Sequence, residues 1–470
     1  MNLDLNLKVT FVIVALLSFS SAQAITLDEY LSLAKQKNRL FSSYDLEQGA
    51  SNDKREAGDL ILTPILTAGY SVTSDKSLPS TLGSKRVVND YNLGVSKNFS
   101  TGTTLGLSAR TDQFQNTGIT PPLDQYATGS LGVSFRQSLW KDFFGAGTRL
   151  RHERESVVNK YETLSVELKK RNLLIEAESS FWDYAVSLEN LNLKKSNFER
   201  SKKLSTWTSN RVSNGISDRS DLMSIRALNS TRELELSTAV DDLKVQELRI
   251  RQNLDLAENE PTPPMTTEQV AQRPYFAELS NKKNIIRIDS YLSNLDAEAK
   301  KFVAKEIRDG LRPDLAFVGS YNTSSYDREY DEMQNNLAKQ DYPKTFIGVN
   351  FSWQFGTDAK ASQIAAADKT ALAAQLSADR NKMIGRDAWL EHVRRFEVAR
   401  QNVMTLEKIA EFQRERAKAE QYKFSKGRTV TLSVVTAETD AAVAEVVYMN
   451  AKSNLRKLEA STQLFISIEE

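Results

Sequence analysis

No cysteine occurs anywhere in the 470 residues. That excludes disulfide frameworks, thiolate metal sites, a cysteine nucleophile and a lipidated N-terminal cysteine. Only two histidines are present, His152 and His392, too few for a multi-histidine metal site or a conventional histidine-based active site. Each sits alone on a polar helical stretch and is expected at the surface. Charge of neither sign is in excess. Sixty-two Lys and Arg face 61 Asp and Glu, for a net charge of +1, so the basic footprint of a nucleic-acid-binding protein is missing. No apolar run is long enough for a membrane-spanning helix. The longest, Val9–Phe19, falls well short of the ~20 residues needed to cross a hydrocarbon core of about 30 Å. With Lys8 before it and Ala22-Gln23-Ala24 after it, this run reads as a cleaved secretory signal covering residues 1–24. The chain is therefore expected to be exported, and any membrane it crosses must be crossed by β-strands. Catalytic groupings are missing too. Gly145-Ala146-Gly147 lacks the third glycine and acidic partner of a dinucleotide site, and no G-x-S-x-G elbow occurs. No enzyme activity, cofactor or metal is expected.

What is present is a repeat. After the signal the chain reads helix, Pro64, strands, Gly145, long helix, a glycine turn at Gly215 and a returning helix. It then reads helix, Pro313, strands, Gly356, long helix, a glycine turn at Gly427 and a returning helix. Gly145 and Gly215 are 70 residues apart, Gly356 and Gly427 71. Equal spacing of like parts argues for duplication of one structural unit. The expected repeats are residues 25–257, with strands within 64–140, and 272–470, with strands within 313–356. They are joined by a linker at 258–271 whose Glu260-Pro261-Thr262-Pro263-Pro264 no helix or central strand tolerates.

The long segments carry a 3-4 apolar beat: Leu174, Ala177, Phe181, Tyr184, Leu188 and Leu191; Phe396, Ala399, Val403, Leu406 and Ala410; and Val434, Ala437, Ala441, Ala444, Tyr448, Ala451, Leu455 and Leu458. Such spacing predicts helices packed along narrow coiled-coil seams. Seventy helical residues measure about 105 Å, a length suited to a rod or tube. The glycines at 215 and 427 supply the left-handed residue that closes a helix, and Ser217, Asp218 or Ser220, and Thr429 or Thr431, are candidate caps of the returning helices.

Before each long helix lie segments of period two. Leu131, Val133 and Phe135 alternate with Ser130, Gly132 and Ser134, and Ile347, Val349, Phe351, Trp353 and Phe355 with Gly348, Asn350, Ser352 and Gln354. Weaker alternation marks the stretches around Tyr70, Leu93, Leu107 and Phe317. Apolar-out, polar-in strands of about ten residues are the signature of membrane β-barrels. Trp140, Phe143, Trp353 and Phe355 suit an interfacial aromatic girdle. Six strands are expected, four in the first half and two in the second, with Ser100-Thr101-Gly102 a tight turn and 74–86, 112–128 and 327–343 long polar loops. Because single-chain barrels start at eight strands, closure requires several copies, and three would give eighteen. The fold class expected is thus an α+β membrane protein built from two repeats.

In this order of parts the chain resembles the TolC-like outer-membrane efflux proteins. The carriers are Leu27-Asp28-Glu29-Tyr30, Leu62-Thr63-Pro64-Ile65-Leu66, Leu311-Arg312-Pro313-Asp314-Leu315, Gln137-Ser138-Leu139-Trp140 and the two glycine turns. The resemblance implies a homotrimer whose outer-membrane barrel, in contact with lipid, is continued by an α-helical coiled-coil barrel in the periplasm. Its entrance at the helical tips opens on docking a periplasmic adaptor (membrane fusion protein) and an inner-membrane RND- or ABC-type transporter. It would serve as the exit duct of a tripartite efflux or type I secretion system. That pattern has two strands per repeat, so four per chain, with the pair around Ser100–Gly102 as a longer surface hairpin, is the alternative to six. Where relatives often carry acidic residues near the second tip, this chain has Ser433 and Thr436. Asp221, six residues after Gly215, keeps a carboxylate; it either joins a cation-attracting ring or supports the helix start. Arg428 is a candidate for an inter-helix pair holding the entrance shut. A trimeric structural or adhesive coiled-coil protein without a transport role is the competing reading.

Overall fold

The computed structural model of the chain describes residues 25–77, 83–121, 123–265, 274–337, 339 and 342–468. The expected signal, 1–24, and residues 266–271 of the expected linker lie outside the described residues. In chain order the elements are α1 (Leu27–Lys37), α2 (Arg39–Ala57), β1 (Ile65–Asp75), β2 (Lys85–Asn98), β3 (Thr103–Thr117), β4 (Gln125–Ser138), α3 (Ala146–Ser213) and α4 (Arg219–Asn253). There follow α5 (Tyr275–Ser280), β5 (Ile285–Arg287), α6 (Ile288–Gly310), β6 (Asp314–Asp327), α7 (Tyr330–Leu337), β7 (Tyr342–Ser352), α8 (Thr357–Ser425), α9 (Thr431–Ser461) and β8 (Phe465–Ser467). The two long helices match in length, 68 and 69 residues. Among the described residues no helix is long and apolar enough to cross a membrane.

The chain divides into two compact units, each drawing on both halves of the sequence. One comprises Ser43–Lys170, Lys283–Leu390 and the stretch from Leu464 onward; the other comprises the residues up to Ser42, Arg171–Lys282 and Glu391–Gln463.

The first unit holds a six-stranded antiparallel sheet in the order β1-β2-β3-β4-β6-β7. All six expected strands are members of it, including the two that flank Ser100–Gly102. The expected loop boundaries move, however. β3 runs on to Thr117 and β4 begins at Gln125, which shortens the 112–128 connection. The 327–343 connection contains α7, whose Met333 is fully buried; a Cβ on Gly129 would collide with its Sδ. A tight junction leads out of β4. Asp142 and Phe144 adopt left-handed conformations beside Gly145 (φ 53°, 44° and 81°). Such geometry is strained for residues other than glycine, and here it is held by hydrogen bonds. The Asp142 carboxylate accepts from the Thr148 amide (2.8 Å) and hydroxyl (2.9 Å), and its own amide donates to Asp309 (3.0 Å). The β2–β3 turn is tied to this region, with the Ser138 amide donating to Gly102 O at 3.0 Å and Gln137 Nε2 to Thr101 O at 3.0 Å. Beyond the sheet, Val157 of α3 packs on Leu295 and Ala299 of α6, and Ala297 packs on Ala374 and Ala378 of α8.

The second unit is helical. Thr26 and Glu29 form a capping box that starts α1, with each side chain answering the other's backbone amide. Leu27, Tyr30, Leu31 and Ala34 then enter a core with Ala177, Phe181, Trp182, Ile250 and Leu254. Tyr30 and Phe181 rings lie 5.7 Å apart, and burial pushes the Tyr30 hydroxyl up to about 12. The residues of the expected seams on α3, α8 and α9 are buried or half-buried throughout. His392 departs from expectation. It is buried, not at the surface, because its ring closes on Thr462 (Nε2 to Oγ1, 2.8 Å) and on Phe276. Burial, with the neighbouring Arg395 charge, lowers its pKa to about 4. His152 is exposed, with Nδ1 3.6 Å from Asp59.

Candidate functional site

Strand alternation gives the sheet two chemically different faces, and the register lets each be followed from edge to edge. One row runs Leu66, Val95, Leu107, Val133, Tyr321, Thr345. One residue over, on the opposite face, the row is Thr67, Gly94, Ser108, Gly132, Asn322, Lys344. The apolar face is not covered by the other described residues: Leu66, Leu107, Val133 and Ile347 are 68%, 59%, 48% and 70% exposed. An apolar surface of this extent on a folded chain marks contact with another protein or with lipid.

The polar face carries two sets of paired charges. Arg110 lies between Asp90 (2.5 Å) and Asp112 (3.2 Å), which oppose each other on β2 and β3. Arg136 holds Asp314 in a bidentate pair at 2.7 and 2.8 Å, across β4 and β6. Both outer strands, β1 and β7, pair on one side only, leaving two rows of backbone donors and acceptors open.

The expected girdle residues cluster where strands end. Trp140 and Phe143 follow β4, Trp353 and Phe355 follow β7, and all four are exposed. Trp353 and Phe355 rings stand 5.1 Å apart.

The two helical turns share one geometry. Gly215 and Gly427 have φ of 71° and 70°. The residue after each donates its amide to the carbonyl five back, Ile216 to Arg211 and Arg428 to Lys423, both at 2.8 Å. This is the closing pattern of a Schellman motif. The expectation for the caps is met in part, by Asp218 in position at the first turn but by neither Thr429 nor Thr431 at the second. Asp218 is the N-cap of α4 and Val430 that of α9, and neither makes a side-chain cap bond. Ser217 instead donates to the Asp221 carboxylate (2.7 Å), and Thr429 to Glu420 (2.9 Å). Ser433 is half-buried, Thr436 and Arg428 are exposed, and Arg428 has no ion-pair partner among the described residues of its own chain.

Sequence reasoning missed the contact between the hairpins. Trp207 near the end of α3 meets Phe424 near the end of α8 at 4.5 Å between ring centroids, with the Arg211 guanidinium 4.7 Å from the indole. Their positions 207 and 424 belong to different halves, and no local pattern joins them.

No family model matches the chain, and no curated protein matches it. Solved structures do resemble it. The outer-membrane channel OprN is 14% identical with a TM-score of 0.67, covering 93% of this chain and 89% of that one. The outer membrane protein VceC from Vibrio cholerae is 14% identical with a TM-score of 0.66, covering 93% and 94%. The Campylobacter jejuni CmeC outer membrane channel is 13% identical with a TM-score of 0.63, covering 94% and 87%. At such identities the likeness is one of fold: this chain has the fold of the outer-membrane channels.

Proposed function

We propose that this protein is the outer-membrane channel subunit of an efflux or secretion system, a TolC-like duct whose barrel sits in the outer membrane and whose helices reach into the periplasm. The observation that carries this reading is the sheet. It pairs an exposed apolar face with a polar face of Ser, Asn, Gly and paired charges, and it ends in two open edges. Strands of 11 to 15 residues meet the ~9–11 needed to cross a bilayer at a tilt. Edges left open in lipid would strand backbone groups at several kcal/mol each, so β1 must meet β7 of another copy. A homotrimer closes the sheet into eighteen strands, enough for a water-filled lumen. Neighbours that are themselves outer-membrane channels support the assignment.

In this reading the glycine hairpins form the periplasmic entrance. Asp221, bonded to Ser217 in the first turn of α4, supports the helix start by its charge and is not assigned to an ion-selecting ring. Arg428 is free to pair with a neighbouring copy and hold the entrance shut until an adaptor and an RND- or ABC-type transporter dock. A passive duct needs no catalytic residue or cofactor. The structural or adhesive alternative has less support, since both long helices reverse at a glycine where a spacer would run on. The test is a mass measurement in mild detergent with planar-bilayer recording. Three chains per particle and a stable conductance are expected; a folded single chain without conductance would refute the proposal.

A further inference from the structure

Between the two helical hairpins of the second unit lies a cavity of about 250 Å³. All four of α3, α4, α8 and α9 line it. Its apolar wall is Leu204, Trp207, Leu228, Phe424 and Val434; its polar groups are Asn197, Arg200, Lys203, Arg232, Gln421 and Glu438 among others. Two observations point to a ligand. The first is Asn197, only 4% exposed, whose amide oxygen accepts from Arg200 while its amide nitrogen is buried with no hydrogen-bond partner among the described residues. A buried unpaired donor is costly, and native proteins keep one chiefly where something else supplies the acceptor. The second is charge. Arg200 is answered by Glu438 at 3.2 Å, and Arg232 by Glu235 at 2.8 Å. Glu438 is further held by Gln421. Lys203 at the exposed rim has no ion-pair partner among the described residues, so it stands as an unpaired positive charge beside an aromatic floor.

We propose that this cavity binds a small aromatic monoanion, a carboxylate or sulfonate on a one- or two-ring body. The ring lies against Trp207 and Phe424, the anionic head meets Lys203, and an acceptor oxygen takes the Asn197 amide. A largely apolar pocket with few convergent polar groups is the usual build of a small-molecule site. Because residues from both halves of the chain touch the occupant, it would tie one hairpin to the other. The inference does not depend on the channel assignment.

The test is calorimetric titration of the purified full-length protein in lipid nanodiscs with 1-naphthoate, and separately with the neutral 1-naphthalenemethanol. Saturable binding at one molecule per chain is expected, at least tenfold tighter for the anion. Lys203→Gln should weaken 1-naphthoate at least tenfold without affecting the alcohol. Val434→Phe, which fills the cavity, should abolish both. Lys203 is exposed, so its variant keeps the test valid even if Val434→Phe fails to fold. Absence of saturable binding, equal affinity for anion and alcohol, or unaltered binding by Lys203→Gln would each overturn the proposal.

Discussion

Replacing Leu107 by arginine separates a lipid-facing sheet from a solvated one. Leu107 is the fifth of the fifteen residues of β3, between Val95 of β2 and Val133 of β4, and 59% of its surface is open. If that face meets lipid, Leu107→Arg puts a charge near the bilayer midplane, which costs about 2–4 kcal/mol per chain. If the face meets water, the guanidinium is solvated. The change then loses at most the shielded part of the leucine, about 1 kcal/mol or less of the ~1.5–3 kcal/mol for full burial. The neighbouring Ser108→Arg faces the other side and serves as the control. It should leave stability within ~0.5 kcal/mol and shift ion preference toward anions by adding positive charge to the lumen. Urea unfolding from liposomes gives the first quantity, and reversal potentials in planar bilayers the second. Should Leu107→Arg destabilise by no more than Ser108→Arg, the assignment of faces, and with it the barrel, is wrong.

Other outcomes follow from the same geometry. Gly215→Ala and Gly427→Ala meet no atom within 4 Å, so only the left-handed backbone is penalised, about 1 kcal/mol each, additive in the double variant by thermal unfolding. His392 has its pKa lowered to about 4 from 6.5. The folded state therefore resists its protonation, and the stability it contributes is complete above pH ~6.5, falls as pH drops, and is exhausted below pH ~4, roughly 3 kcal/mol in all. Glu459, raised by burial, titrates with the opposite sign, so the measurement is the difference between wild type and His392→Gln across that window; an unchanged difference would reject the buried neutral imidazole. Arg428→Ala should raise single-channel conductance if the side chain pins the entrance, and no rise would reject that role. Asp221→Asn should leave cation preference unaltered while lowering stability by about 0.3–1 kcal/mol; a lost preference would restore the carboxylate ring.

Much of this architecture was legible in the sequence because its signals are local. The 3-4 beat through Phe181, Phe396 and Val434 announced the seams, the alternation through Val133 and Val349 announced the strands, and Gly215 and Gly427 marked the reversals. What escaped depended on residues far apart in the chain. His392 sits on a helix face that reads as polar, and what closes over it, Thr462 and Phe276, lies seventy residues or more away in the chain. The short α7 was hidden in a polar stretch because its burial rests on one methionine against Gly129. The Trp207–Phe424 contact and the cavity beside it combine residues of both halves, beyond the reach of any periodicity. Of the candidate caps, Asp218 does take the N-cap position of α4, whereas α9 starts from Val430; Ser217 and Thr429 bond nearby carboxylates instead of backbone amides.

The hairpin of β2 and β3 is anchored asymmetrically. Its turn at Thr101–Gly102 is stitched to Gln137 and Ser138, and any side chain on Gly145 would collide with Ser100 O. Among the described residues, the opposite connections, near 76–77 and 119–121, carry no comparable ties to the strand-to-helix junction. An insertion at 119–121 is therefore expected to disturb the strand-to-helix junction less than one at Thr101–Gly102.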